Sequence, residues 1–203
     1  MSDPFKVVRD LEAALCEYTG APFAVTTTSC TQAILMALAF MGEFSWLTRP
    51  LVSIPKRTYV GVPASVLNAG MQPVFRDEEW VGEYRLKPYP VIDSARRFTA
   101  GMYEPGEYRC VSFHTSKILG DSQGGAILHD NPTADTWLRR ARFDGRTEGA
   151  DPKTDQVQYP NWHAYMSPDV AARLLWKLQH LPRYNQDLSN SDYPELSTME
   201  AFK

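Results

Sequence analysis

The sequence predicts an α/β layer fold with a largely parallel sheet. Two observations lead there. Apolar residues recur at helical steps of three and four in some segments and form short β-prone runs in others, and the two kinds of segment alternate along the whole chain. The composition, 43% hydrophobic and 22% charged over 203 residues, is that of a globular domain with a sizeable core rather than a disordered or fibrous chain.

The elements follow in order. Ser2 or Asp3 can cap a first helix, with Pro4 at its opening turn. Phe5, Val8, Leu11, Ala14, Leu15 and Tyr18 mark its apolar face, and Gly20 stops it. Phe23 to Thr28 is β-prone, and Ser29 to Met41 reads as a helix apolar almost all round, hence buried. Leu51 to Pro55 is a strand, Val60 to Asn68 a helix closed by Gly70, and Gln72 to Phe75 the next strand. Pro90 to Asp93, Arg109 to Phe113 and Gly125 to His129 are three further strands. Asp130 and Asn131 cap a helix through Trp137, Leu138 and Ala141. Gly145, Gly149, Pro152 and Pro160 punctuate a polar surface loop from Phe143 to Trp162. A last helix, about Ser167 to Leu181, carries Val170, Leu174, Leu175 and Leu178 on one face. Beyond Pro182 the chain is polar and expected to fray. The division that results is a domain over 1–185 and a tail over 186–203.

Composition excludes several classes. A formal net charge of −3 argues against nucleic-acid binding by bulk charge, though not against a local basic patch. The longest apolar run, Ala33 to Met41, falls far short of the roughly 20 residues of a membrane span. The opening Met-Ser-Asp-Pro-Phe-Lys lacks the basic-then-apolar pattern of a signal peptide, so a cytoplasmic location is expected. Cys16, Cys30 and Cys110 are odd in number and widely spaced, which fits neither a disulfide framework nor a metal ribbon.

Four features fall at strand ends or a helix start, where open α/β sheets gather ligands. Thr26 to Thr31 leads into the second helix and offers hydroxyls, backbone N–H groups and the positive helix end to a phosphate; it also reads as an ordinary N-cap. Asp93 closes Tyr89-Pro90-Val91-Ile92. A carboxylate at the end of a buried strand needs a partner, either a cationic ligand nitrogen or Arg96 or Arg97 in a structural ion pair. Ser112-Phe113-His114-Thr115-Ser116-Lys117 runs off a strand end and ends in a lysine, the residue type that forms Schiff bases; most lysines are simply solvated. Tyr59 sets an aromatic ring where it could stack on a planar ligand or only anchor the surface.

Taken in order, these segments resemble the DegT/StrS family of pyridoxal-phosphate (PLP) sugar aminotransferases, within the aspartate-aminotransferase fold group. The likeness runs from about Phe5 to Arg183. It takes in Leu15 to Gly20, Ser29-Cys30-Thr31, Pro55 to Tyr59, Pro73 to Asp77, Asp93-Ser94-Ala95, Ser112 to Lys117 with Gly124-Gly125, and Tyr165-Met166-Ser167. The resemblance implies a three-layer sandwich with a mainly parallel central sheet, like the large domain of fold-type I PLP enzymes, in a short form without the family's C-terminal small domain. It implies PLP as cofactor, held by Lys117 as a Schiff base, with Asp93 on the pyridine nitrogen, Tyr59 on the ring face, and Ser112, Cys30 and Thr31 at the phosphate. It also implies a homodimer with shared sites, and the apolar second helix is consistent with an interface. Three positions depart from the family pattern. Cys30 stands where the family has Gly, Arg96 where it has His or Gln near the ring oxygen, and His163 where an Asn crosses to the other subunit's phosphate, with Asn161 two residues earlier.

Three readings follow. The first is a transaminase acting on a small-molecule amine or amino-acid group, such as an amino or keto sugar. The second keeps PLP but decarboxylates an amino-acid group, such as one carried by a hypermodified base of phage DNA that Arg139, Arg140, Arg142 and Arg146 would meet. The third is a non-catalytic relative, which the joint presence of Asp93, Ser112 and Lys117 disfavours.

Overall fold

The computed structural model describes residues 3–43, 49–157, 161–190 and 192–202. The Ser2 cap and the Pro160 loop position expected from sequence lie outside them. The chain order is α1 (Lys6–Thr19), β1 (Phe23–Thr27), α2 (Cys30–Glu43), β2 (Leu51–Pro55), α3 (Gly61–Asn68), β3 (Gln72–Arg76), β4 (Tyr84–Leu86), β5 (Val91–Asp93), β6 (Tyr108–Ser112), β7 (Gly125–His129), α4 (Pro132–Ala141) and α5 (Pro168–Gln179). Every helix and strand expected from the sequence is present. The strand β4, three residues long, was too short to carry a readable period.

Strands β1-β7-β6-β5-β4 form one sheet and β2-β3 a second. Reciprocal backbone hydrogen bonds between Ser53 and Lys87, at 2.7 and 3.1 Å, join β2 to the residue after β4. The pairing is mixed rather than mainly parallel. Only β5–β6 and β2–β3 pair in parallel, while β7 and β4 run against their neighbours. The correction has a local cause: β4 and β5 are too close in sequence for a helical crossover, so β5 returns antiparallel beside β4.

Side-chain alternation builds two cores, one on each sheet face, which gives the three layers. Val25, Cys110 and Ile127 point to the face covered by α2, α3 and α4. Ala24, Val111, Ala126 and Leu128 point to the face covered by α1 and α5. Helix α2 is buried on nearly every side within this one chain, from Ala33 to Leu38 and at Phe40. Its apolar character is therefore satisfied internally and is no argument for a subunit interface. Among the described residues, no helix is long and apolar enough to cross a membrane.

The segment beyond Pro182 does not fray. The Leu188 N–H donates to the Arg96 carbonyl at 2.9 Å and the Leu196 N–H to the Lys56 carbonyl at 2.8 Å. Leu196 is fully buried, and 3₁₀ turns follow at Leu196–Thr198 and Glu200–Phe202. One apolar anchor and backbone bonding to two loops hold a segment whose own composition looks disordered.

The arginine stretch also takes another role than a phosphate-facing patch. Glu12, buried on α1, accepts from the Thr26 N–H at 2.9 Å and hydroxyl at 2.8 Å, from Arg139 at 2.6 Å, and from Arg142. Burial would push the Glu12 carboxyl up, but Arg142 and Arg139 outweigh it and hold it below the usual range. Arg142 is itself buried and reaches Glu148 at 3.2 Å. Arg140 lies 3.7 Å from Asp155, and Arg146 3.6 Å from Asp144. Charges already paired within the chain leave little for a polyanion.

Removing one member of a buried ion pair strands the other, so Glu12→Ala should lower the unfolding free energy by about 3–5 kcal/mol in urea titration. A loss below about 1 kcal/mol would place the pair with exposed salt bridges. His129 gives a pH test. Its ring is fully buried between Phe23 and Tyr108, and burial pulls its pKa from 6.5 to about 4. The unfolded chain takes up a proton near pH 6.5 that the native state refuses until about pH 4, so stability falls as pH drops through that window. The slope of Tm against pH between these values should flatten in His129→Phe.

Candidate active site

The carboxyl ends of β5 and β6 and the start of β7 set the site by register. Asp93 is paired with Cys110, and Ser112 with Gly125, while Ser29 bridges to Gly124. Asp93, Ser112 and the first turn of α2 therefore stand along one sheet edge, above a cavity of about 320 Å³. Gly125 permits the close approach: a Cβ there would lie 2.4 Å from the Cys30 nitrogen and 2.6 Å from the Ser29 carbonyl carbon. Gly124, at φ +130°, adopts a conformation that side chains disfavour. The glycine pair is thus more than a turn into the strand.

Cys30, Thr31, Tyr59, Asp93, Arg96, Ser112 and Lys117 all line this cavity. They come from four separate parts of the chain. His163 does not line it; it is exposed, with Nδ1 2.8 Å from Asp144 Oδ2. The α2 start is both an N-cap and a cavity-facing turn. Ser29 Oγ accepts from the Gln32 N–H at 3.1 Å, while the half-buried Thr31 faces the cavity. The Cys30 thiol is engaged with the Cys110 carbonyl at 3.5 Å, and burial pushes its pKa well up. What residue 30 offers a ligand is its backbone, not its sulfur.

Asp93 is 3% exposed. One carboxylate oxygen accepts from the Ala95 N–H at 3.0 Å and the other from the Tyr84 hydroxyl at 2.8 Å, which also contacts Thr58 Oγ1 at 2.6 Å. No salt bridge reaches Asp93 among the described residues, so the ion-pair alternative with Arg96 or Arg97 is not formed. Arg97 instead pairs with Asp187 at 2.9 Å. Burial raises the Asp93 pKa, against the pull of those two hydrogen bonds and the charges of Lys117 and Arg96. This is a desolvated carboxylate held in fixed orientation with no protein cation in contact.

The lysine-bearing loop is fastened from below. Lys177 on α5 donates to the Gly120 carbonyl at 2.6 Å and to Asp121 at 2.9 Å, and Arg173 donates to the other Asp121 oxygen at 2.9 Å. Gly120 sits where a Cβ would lie 2.7 Å from the Thr115 carbonyl oxygen. Lys117, half-buried above this staple, makes no side-chain hydrogen bond or salt bridge among the described residues. Trp80, Gln123 and Tyr193 also line the cavity and Tyr84 supports it, all without a sequence signal. Trp80, Tyr84 and Tyr193 are single aromatics in unpatterned or very short segments, and only folding brings them together.

The fold is similar to that of the large domain of fold-type I, PLP-dependent aminotransferases. Residues 3–86 match the DegT/DnrJ/EryC1/StrS aminotransferase family, the family that the motifs resemble. A Campylobacter jejuni UDP-4-amino-4,6-dideoxy-N-acetyl-beta-L-altrosamine transaminase is 26% identical over 91% of this chain and 60% of its own length. Helicobacter pylori PseC, an aminotransferase of pseudoaminic acid biosynthesis, superposes with a TM-score of 0.72 at 18% identity, over 87% of this chain and 58% of its own. AtS13 of Actinomadura melliaura gives 0.76 at 16% identity, over 86% and 59%. The chain thus spans about 60% of the length of these relatives.

Asp93 supplies a test of the site's poise. Its native pKa lies above the unfolded 3.8, so at neutral pH the ionised form disfavours the native state. Asp93→Asn should raise the Tm of the cofactor-free protein at pH 7. The gain should shrink as pH falls towards 3.8.

Proposed function

We propose that this chain is the cofactor-binding large domain of a PLP-dependent aminotransferase acting on an amino or keto sugar. One observation carries the reading: Asp93, buried and without a protein cation, shares its cavity with Lys117, whose ammonium is likewise unengaged among the described residues. A carboxylate desolvated in this way suits a cationic ring nitrogen, and the residues present fit PLP. The sugar substrate class is drawn from the Campylobacter jejuni relative.

When bound, PLP supplies an electron sink for the bond broken at the substrate carbon. Asp93 would keep the ring nitrogen protonated by charge attraction, with its carboxylate held in place by Tyr84 and the Ala95 N–H. Lys117 is the residue that would hold the cofactor, and its Nζ would carry the proton to and from the substrate carbon. The first turn of α2 and Ser112 receive the phosphate with N–H and hydroxyl donors. Tyr59, 54% exposed at the mouth, covers the ring face. Arg96 contributes a fixed cation on the cavity wall. Two copies of the chain share the sites, with His163 or Asn161 reaching the neighbouring phosphate.

The test is chemical. Protein incubated with PLP should turn yellow, and borohydride should fix the cofactor on the peptide carrying Lys117. Lys117→Ala should abolish both the label and turnover, with Tm changed by little, because a half-exposed lysine contributes little to packing. Full turnover in Lys117→Ala would overturn the reading.

A further inference from the structure

The C-terminal segment enters the cavity through one side chain. Tyr193 stands on its wall, stacked on the Trp80 indole with centroids 6.1 Å apart and planes 18° from parallel. The Arg96 guanidinium carbon lies 4.6 Å above the other part of this contact, the Tyr193 ring, and Arg96 Nε donates to the Tyr193 hydroxyl at 3.2 Å. A second Arg96 nitrogen donates to the Ser189 carbonyl. The backbone closes the grip, because the Leu188 N–H donates to the Arg96 carbonyl at 2.9 Å. Further along, Leu196 is buried, and Glu195 lies 3.1 Å from Arg57. Trp80 in turn packs edge-on against Tyr84 at 4.7 Å, and Tyr84 donates to Asp93. A continuous set of contacts thus runs from the C-terminal segment to both charged groups on the Asp93 side of the cavity.

We propose that Tyr193 is a positioning residue for Arg96, so that the C-terminal segment sets the cavity's affinity for its anionic cofactor. An arginine side chain loses much rotamer freedom when it is fixed, and ring stacking, a hydroxyl acceptor and a carbonyl acceptor together supply that restraint before any ligand arrives. Without Tyr193 the guanidinium keeps its charge but not its direction. The proposal rests on the PLP reading of the cavity.

The experiment is a double-mutant cycle on PLP affinity, measured by equilibrium dialysis, with the visible absorbance band and borohydride labelling of Lys117 recorded on each protein. Tyr193→Ala and Arg96→Ala should each weaken PLP by about tenfold, the size of a partly desolvated cation–π contact. The double variant should be no more than about threefold weaker than either single, since the two residues act as one unit. Tyr193→Phe, which keeps the stack and loses only the hydroxyl, should stay within about threefold of wild type. A general loosening of the fold would instead make the two losses multiply. Multiplying losses, or Tyr193→Ala binding PLP as wild type does, would overturn the proposal while leaving the cofactor reading intact. Wild-type protein that neither binds PLP nor labels at Lys117 would overturn both.

Discussion

The site depends on one close contact, where the first turn of α2 rests on Gly125 at the start of β7. With a Cβ position only 2.4 Å from the Cys30 nitrogen, no side chain fits there without backbone movement. The contact fixes the helix end against β7, and the strand register carries that position to β6 through Ser112 and to β5 through Asp93. Four segments distant in sequence therefore present their ligand-facing groups at one edge. A sheet transmits position well, because successive residues of an inner strand hydrogen-bond alternately to the strands on its two sides.

Charge is distributed on two opposite principles in this chain. Around Glu12, a buried carboxylate is met by two arginines and two hydrogen bonds from Thr26, and nothing is left over for a ligand. At Asp93, burial is as deep, but hydrogen bonds fix the orientation without neutralising the charge. The first arrangement ties α1 to β1 and α4. The second holds an uncompensated charge next to a cavity, a local cost to stability of the kind that binding sites commonly carry.

The C-terminal segment links these themes. Its hydrogen bonds to the Arg96 and Lys56 carbonyls bind it to the loops that follow β5 and β2, and both loops carry cavity residues. Segment and site are thus mechanically continuous, through Tyr193, Trp80 and Tyr84 on one side and through Arg96 on the other.

Much of this was legible in the residues alone. Periods of two and of three to four, with Gly20 and Gly70 as stops, were enough for five helices and six of the strands, because local patterning reports which face of an element is buried. The motif order singled out Cys30, Thr31, Tyr59, Asp93, Arg96, Ser112 and Lys117, which the fold places on one cavity, and His163, which lies away from it. Tertiary structure alone decided the rest. The antiparallel pairing of β7 with β1, the internal neutralisation of Arg139 and Arg142, and the entry of Trp80, Tyr84 and Tyr193 into the site all depend on contacts across long stretches of chain. The physical reason is the same in each case. A charge or an aromatic ring has no meaning until its neighbours are known, and its neighbours here come from packing rather than from adjacent sequence.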